Sequence, residues 1–97
     1  MFLKQKAYRS SKWMAAVRSI ECCVLCGAYG TEPAHRNEGK GTGIKADDCL
    51  CAALCRSCHA EIDNGKHMTR EDRRAEIDRA ICMTIQHLTR NGLIKPV

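Results

Sequence analysis

The sequence predicts a small α+β fold: a zinc-stapled ββα unit flanked by a short N-terminal helix and a long C-terminal helix. Three observations predict it. Two Cys-x-x-Cys pairs, Cys23–Cys26 and Cys55–Cys58, stand 28 residues apart. Between them lies Gly- and Cys-rich sequence that reads as turns and short strands, while the segments on either side carry helical periodicity. The chain has 97 residues and only four aromatic side chains, Phe2, Tyr8, Trp13 and Tyr29. A core of that size is marginal alone and calls for a staple.

Residues 1–97 read as one domain in three parts. The first, residues 1–21, is a basic arm and helix. Ser11 can cap the helix, which places Trp13, Val17 and Ile20 on one face at i, i+4, i+7. The second, residues 22–65, is the zinc/ββα core. A short helix begins just after Arg56 and ends at Asn64-Gly65, a helix C-terminal signal. The third, residues 69–91, is the clearest helix. Thr69 with Asp72 forms an acidic capping box, and Asn91-Gly92 ends the segment. Ile77, Ile81, Ile85 and Leu88, with Ala80 and Thr84 beside them, form an apolar stripe expected to pack on the zinc unit.

The paired spacing has a mechanical reason. Each Cys-x-x-Cys turn converges two sulfurs on one point, and two turns supply the four thiolates of a tetrahedral zinc ion. The binding energy becomes folding energy, which suits a chain poor in aromatics. Cys23, Cys26, Cys55 and Cys58 are therefore the expected ligands of a structural Zn²⁺, and Gly27 fits the tight turn after Cys26. Four cysteines remain of the eight. Cys22 could replace Cys23 through a longer spacing. Cys49 and Cys51 read as buried small hydrophobes on a strand, and Cys82 reads as core on the long helix. Thioredoxin-like redox chemistry would need a βαβ context that is not visible.

His35 follows the first knuckle and His59 follows Cys58 directly. The order knuckle, strand to His35, glycine-rich loop, strand through Leu50–Leu54, knuckle, helix brings His59 toward the strand that carries His35. Two imidazoles beside a metal-stapled core suit phosphodiester hydrolysis. One neutral ring can deprotonate water, and the other can hold a divalent ion on the scissile phosphate. His67 and His87 read as surface or packing residues. Gly39, Gly41 and Gly43 read as a flexible loop that leaves Arg36, Lys40 and Lys45 available to DNA phosphates.

Four strings carry a resemblance: Cys23-x2-Cys26; Ala34-His35-Arg36-Asn37; Gly39-Lys40-Gly41-Thr42-Gly43-Ile44-Lys45-Ala46-Asp47-Asp48; and Leu54-Cys55-Arg56-Ser57-Cys58-His59-Ala60-Glu61-Ile62-Asp63. The chain resembles the phage and prophage HNH (His-Me finger) proteins of the Ref-like and YbcO-like kind, over about residues 10–92. The resemblance implies a ββα-metal, treble-clef-like nuclease fold and metal-dependent cleavage of DNA. It implies His35 as general base and His59 as ligand of a catalytic divalent ion, Mg²⁺ or Mn²⁺, with structural zinc on the four cysteines. Common members place an acid just before the base histidine, where this chain has Ala34. Asp48 or Asp63 could supply that acid. The asparagine that gives HNH its middle letter is not visible, and Asn37 is the nearest candidate.

Charge is uneven. The chain carries +5 overall, and residues 1–20 alone hold Lys4, Lys6, Arg9, Lys12 and Arg18 with no acid. Zinc on four thiolates would lower the total to about +3. A basic arm on a near-neutral body suits DNA contact that is largely independent of sequence, with a solvated tail as the bland alternative. No apolar run is long enough to span a membrane, and no signal peptide is visible, so the cysteines are expected to be reduced in the cytoplasm of a bacterial host. A recombination, phage or host protein is the further partner expected. The competing reading is a non-catalytic zinc module that binds nucleic acid or such a protein.

Overall fold

The computed structural model describes residues 6–37 and 46–96. The glycine loop, Lys40, Lys45 and the basic Lys4 named above lie outside the described residues. Among the described residues five elements follow in order: α1 (Ser11–Arg18), β1 (Glu32–His35), β2 (Cys51–Leu54), α2 (Arg56–Asn64) and α3 (Arg70–Arg90). This is a small α+β fold with one two-stranded antiparallel sheet.

Register decides which residues share a face. Glu32 pairs with Leu54, Pro33 with Ala53, Ala34 with Ala52 and His35 with Cys51. Side chains alternate along a strand. Ala34, Ala52 and Leu54 therefore look one way, into a core with Cys23, Cys55, Ile62, Ile77, Ala80 and Ile81. Cys51 and Ala53 look the other way, into a second cluster with Val17, Ile20 and Leu88. Pro33 lacks an N–H, and its position costs nothing. Its partner Ala53 turns both backbone groups away from β1, the N–H to Thr84 Oγ1 at 3.2 Å and the carbonyl to Val24 N at 3.1 Å.

Helix α3 runs along that outer edge of β2 and serves both faces. Ile77, Ala80 and Ile81 join the first cluster and Leu88 joins the second. The edge that β2 would otherwise expose is thereby covered. Thr69 Oγ1 accepts from Asp72 N at 3.1 Å, as the capping signal predicts. The stripe differs from expectation at Ile85, which is 37% exposed. At ~100° per residue, eight residues carry Ile85 about 80° from Ile77, while Thr84 and Leu88 stay within about 20°. Cys82 fails for the same reason: it is about 140° around and exposed, not core.

Smaller differences concern caps and cysteines. Ser10, not Ser11, caps α1, its side chain accepting from Trp13 N at 3.0 Å. Ile20 lies past the end of α1 yet is buried beside Val17. Gly65 ends α2 as expected, but in an extended conformation. Its need for glycine is one of space, since a Cβ there would run into the Glu61 carbonyl oxygen. Cys51 is buried as expected, and Cys49 lies half-buried in the turn before β2. Among the described residues, no helix is long and apolar enough to cross a membrane.

Candidate functional site

The two cysteine pairs come from different local structures. Cys23–Cys26 is a tight turn in which Gly27 N donates to Cys23 O at 2.8 Å and Cys23 N donates to Ala28 O at 2.8 Å. Gly27 takes a φ of 80°, the left-handed conformation that glycine adopts without a Cβ clash. Cys55 is the N-cap of α2, with Cys58 N donating to its Sγ at 3.4 Å. The four sulfurs lie within 4.8 Å of one another. Cys26 Sγ and Cys55 Sγ are 3.6 Å apart. Four sulfurs at ~2.3 Å from a tetrahedral ion stand about 3.8 Å apart, so the cluster fits a metal such as zinc.

The thiols are not equivalent. Burial pushes the Cys23 thiol up, but hydrogen bonds from the backbones of Cys55, Cys26 and Leu25 outweigh it and bring it down to about 6. A thiolate is therefore already favoured at one corner of the cluster. Burial, reinforced by the sulfurs of Cys55, Cys26 and Cys23, pushes the Cys58 thiol up. Crowded sulfurs cannot all ionise without a cation to offset them, which is the electrostatic counterpart of the geometric fit.

His59 stands in the first turn of α2, fixed by its neighbour Cys58. Its Nδ1 lies 2.6 Å from Glu32 Oε2, and its Nε2 lies 3.2 Å from Asp63 Oδ2 one turn along the helix. Asp63 Oδ1 accepts from Asn37 Nδ2 at 3.2 Å. A neutral ring that donates Nδ1–H to Glu32 presents a lone pair at Nε2. That lone pair faces a carboxylate, and the pair is satisfied by an imidazolium or by a cation. Two neighbouring ligands ~2.1 Å from an octahedral ion are about 3.0 Å apart, so His59 Nε2 and Asp63 fit one ion as a pair. Glu32 occupies the opposite ring nitrogen, where a ligating histidine finds its orienting carboxylate.

Beside Asp63 opens a cavity of about 240 Å³, lined by Asn37, Ile62, Asp63, Arg70, Arg73, Arg74 and Ile77. Arg73 Nη1 donates to Asp63 O at 3.3 Å. Arg36, which precedes Asn37, turns instead to α3, its Nε 2.7 Å from Asp78 Oδ1.

His35 and Asp48 form a separate group. His35 Nε2 is 3.0 Å from Asp48 Oδ1. Asp48 Oδ2 accepts from Ser10 N at 2.7 Å, and Arg9 Nη1 stands 3.6 Å from Oδ1. Burial would raise the Asp48 carboxyl, but the bonds from His35 and Ser10 and the charge of Arg9 hold it below the usual carboxylate range. Tyr8 N donates to Asp47 Oδ1 at 2.9 Å, and Arg9 Nη1 donates to Ala46 O at 2.8 Å. Tyr8 and Arg9 of the basic arm are thus stitched to the turn before β2.

The structure pairs the expected residues differently from the sequence reading. It joins His59 to Asp63 and His35 to Asp48, and it puts the two pairs on opposite faces of the sheet. Glu32, the partner of His59, shares its face with Ala34; His35 shares its face with Cys51. Alternation along β1 points Glu32 and His35 to opposite faces. Glu32 was not singled out from sequence. The usable signal was its spacing: two residues from buried Ala34, it shares the face that α2 covers.

A family model described as Protein of unknown function (DUF968) matches residues 2–78. No curated protein and no solved structure matches the chain.

Proposed function

Because the chain belongs to the DUF968 family, whose function is unknown, we propose its activity from its own residues: metal-dependent endonucleolytic hydrolysis of phosphodiester bonds in DNA, on a ββα-metal (HNH, treble-clef-like) unit stapled by structural Zn²⁺. The observation that carries it is the Glu32–His59–Asp63 arrangement, whose spacing suits one divalent ion. Such an ion, Mg²⁺ or Mn²⁺, supplies Lewis acidity at a phosphoryl oxygen and charge stabilisation for the leaving group. His59 Nε2 and Asp63 would hold it; water completes the shell of a hard cation with few protein ligands. Glu32 fixes the tautomer and angle of the ring. Asn37 fixes the rotamer of Asp63. His35 takes a positioning role in this reading: with Asp48 it ties the arm at Tyr8–Ser10 to the sheet.

A second reading has its own support. Glu32 and His35 point to opposite faces of the sheet, and His35 is engaged by Asp48 rather than by the His59–Asp63 pair. That favours a non-catalytic zinc module that binds nucleic acid. Nicking of supercoiled plasmid by zinc-loaded protein with Mg²⁺ or Mn²⁺ separates the two. The nuclease reading expects nicking that His59→Ala and Asp63→Asn reduce by about 100-fold or more, an effect of the size general acid–base and metal groups supply. Wild-type protein that binds the plasmid and never nicks it supports the second reading.

A further inference from the structure

We infer that the cavity between the end of β1, the end of α2 and the start of α3 is a phosphate-binding pocket that takes a backbone phosphodiester of the nucleic acid. The inference deepens the nuclease reading and rests on it for the class of substrate.

Arg70, Arg73 and Arg74 line the cavity together with Asn37 and Asp63. The three arginines stand at i, i+3 and i+4 in the first two turns of α3, so they share one broad helix face. The positive end of the α3 dipole lies at the same place. Asp63, the acid at the rim, has its carboxylate oxygens turned to Asn37 and His59. Arg73 is held in place by its bond to the Asp63 carbonyl oxygen.

Size and chemistry narrow the ligand. The cavity, about 240 Å³, falls below the ~300–1,000 Å³ of pockets for drug-sized molecules. It suits one phosphate with part of its sugar rather than a whole base. Guanidinium forks match phosphate oxygens in pairs, which an ammonium does not. Asp63 belongs to both the cavity and the His59 pair, so a phosphate held here lies beside the ion site. The pocket would set the position of the strand.

The test uses zinc-loaded full-length chain, fluorescent duplex and single-stranded DNA oligonucleotides, and no added divalent ion. Arg70→Gln/Arg74→Gln is expected to weaken duplex binding about tenfold or more at ~0.1 M salt. The slope of log affinity against log salt should fall by up to about 0.9, the change expected for one phosphate. Arg73→Lys, which keeps the charge and loses the fork, should weaken binding with the slope unchanged. Arg90→Gln, at the far end of α3, serves as the surface control and should change neither. Unaltered affinity and slope in the double variant, with α3 still helical by circular dichroism, overturn the proposal. Arginine side-chain NMR signals titrated with inorganic phosphate separate the sources. Phosphate shifts in wild type, combined with unaltered DNA binding in the double variant, mean a free-phosphate pocket, and the nucleic-acid assignment falls. Pocket-dependent binding without any nicking under Mg²⁺ or Mn²⁺ upholds the pocket and removes the nuclease reading alone.

Discussion

Glu32 and His35 stand three residues apart on one strand and face opposite sides of the sheet. Glu32 reaches His59 at 2.6 Å, while His35 reaches Asp48 at 3.0 Å. Period-two alternation makes this unavoidable once Ala34 is buried against α2 and α3. The two histidines therefore do different work. His35→Ala removes a partner from a nearly buried carboxylate and is expected to cost about 1–3 kcal/mol of stability. Nicking at a temperature where the variant is folded should fall by less than tenfold. A loss as large as that of His59→Ala, in a variant that folds and binds DNA normally, would restore His35 as the general base.

The carboxylate of Glu32 should matter through His59 rather than by itself. Glu32→Gln can still accept from Nδ1–H but loses the charge that makes the ring a stronger ligand. Mn²⁺ affinity of the zinc-loaded protein, read by electron paramagnetic resonance, should drop about 10–100-fold. His59→Ala and Asp63→Asn should abolish that binding. If Mn²⁺ binds equally to all four proteins, the ion site is elsewhere.

The cysteine cluster should decide folding. Structural zinc contributes about 10–16 kcal/mol of apparent binding free energy in small domains, more than a chain this size has to spare. Cys58→Ser and chelator treatment are each expected to abolish cooperative melting by circular dichroism. Elemental analysis should give one zinc per wild-type chain. Cys82→Ser, at an exposed helix position, should shift stability by no more than ~0.5 kcal/mol.

Much of this frame was legible because it rests on spacing. The two Cys-x-x-Cys pairs, the Thr69 cap and the Asn64-Gly65 stop are local signals, and local geometry enforces them. What was not legible depends on register. Nothing in the order of residues says that His35 pairs with Cys51 and Glu32 with Leu54, and so which face each ring takes. The stripe on α3 illustrates the same limit. Ile85 fits an i, i+4, i+8 count, but the helix rotates it out, and Thr84 rather than an isoleucine fills the buried position. The N-cap fell one residue early because Ser10 and Ser11 are equally good capping residues. The bond from Ser10 N to Asp48, between residues far apart in the chain, favours Ser10.

Acid should loosen the arm before it loosens the sheet. Asp48 is held below the usual carboxylate range although burial opposes it, because His35, Ser10 and Arg9 favour the ionised form. A lowered folded value means the group contributes stability that is complete above its unfolded value, ~3.9. That contribution is lost as pH falls through the lower folded value. The stability that Asp48 adds over Asp48→Asn should accordingly be present above about pH 4 and shrink below that. A difference that grows with acidification would mean that Asp48 is destabilising when charged. Asp78, lowered by its bond to Arg36 and despite burial, should behave with the same sign.

Thr84 makes the most local of these predictions. Its hydroxyl is fully buried, accepts from Ala53 N at 3.2 Å and donates to Ala80 O at 2.8 Å. It thus satisfies the outward N–H of β2 from the helix that covers that edge. Thr84→Val keeps the shape and removes the acceptor, which leaves the Ala53 N–H buried and unpaired at a cost of about 1–3 kcal/mol. Thr84→Ser keeps the acceptor and loses one methyl, at about 1 kcal/mol. Denaturant melts of the zinc-loaded proteins should therefore rank wild type, Ser, then Val. Should Val equal wild type, the edge of β2 is not held by this bond, and the packing of α3 on the sheet is apolar alone.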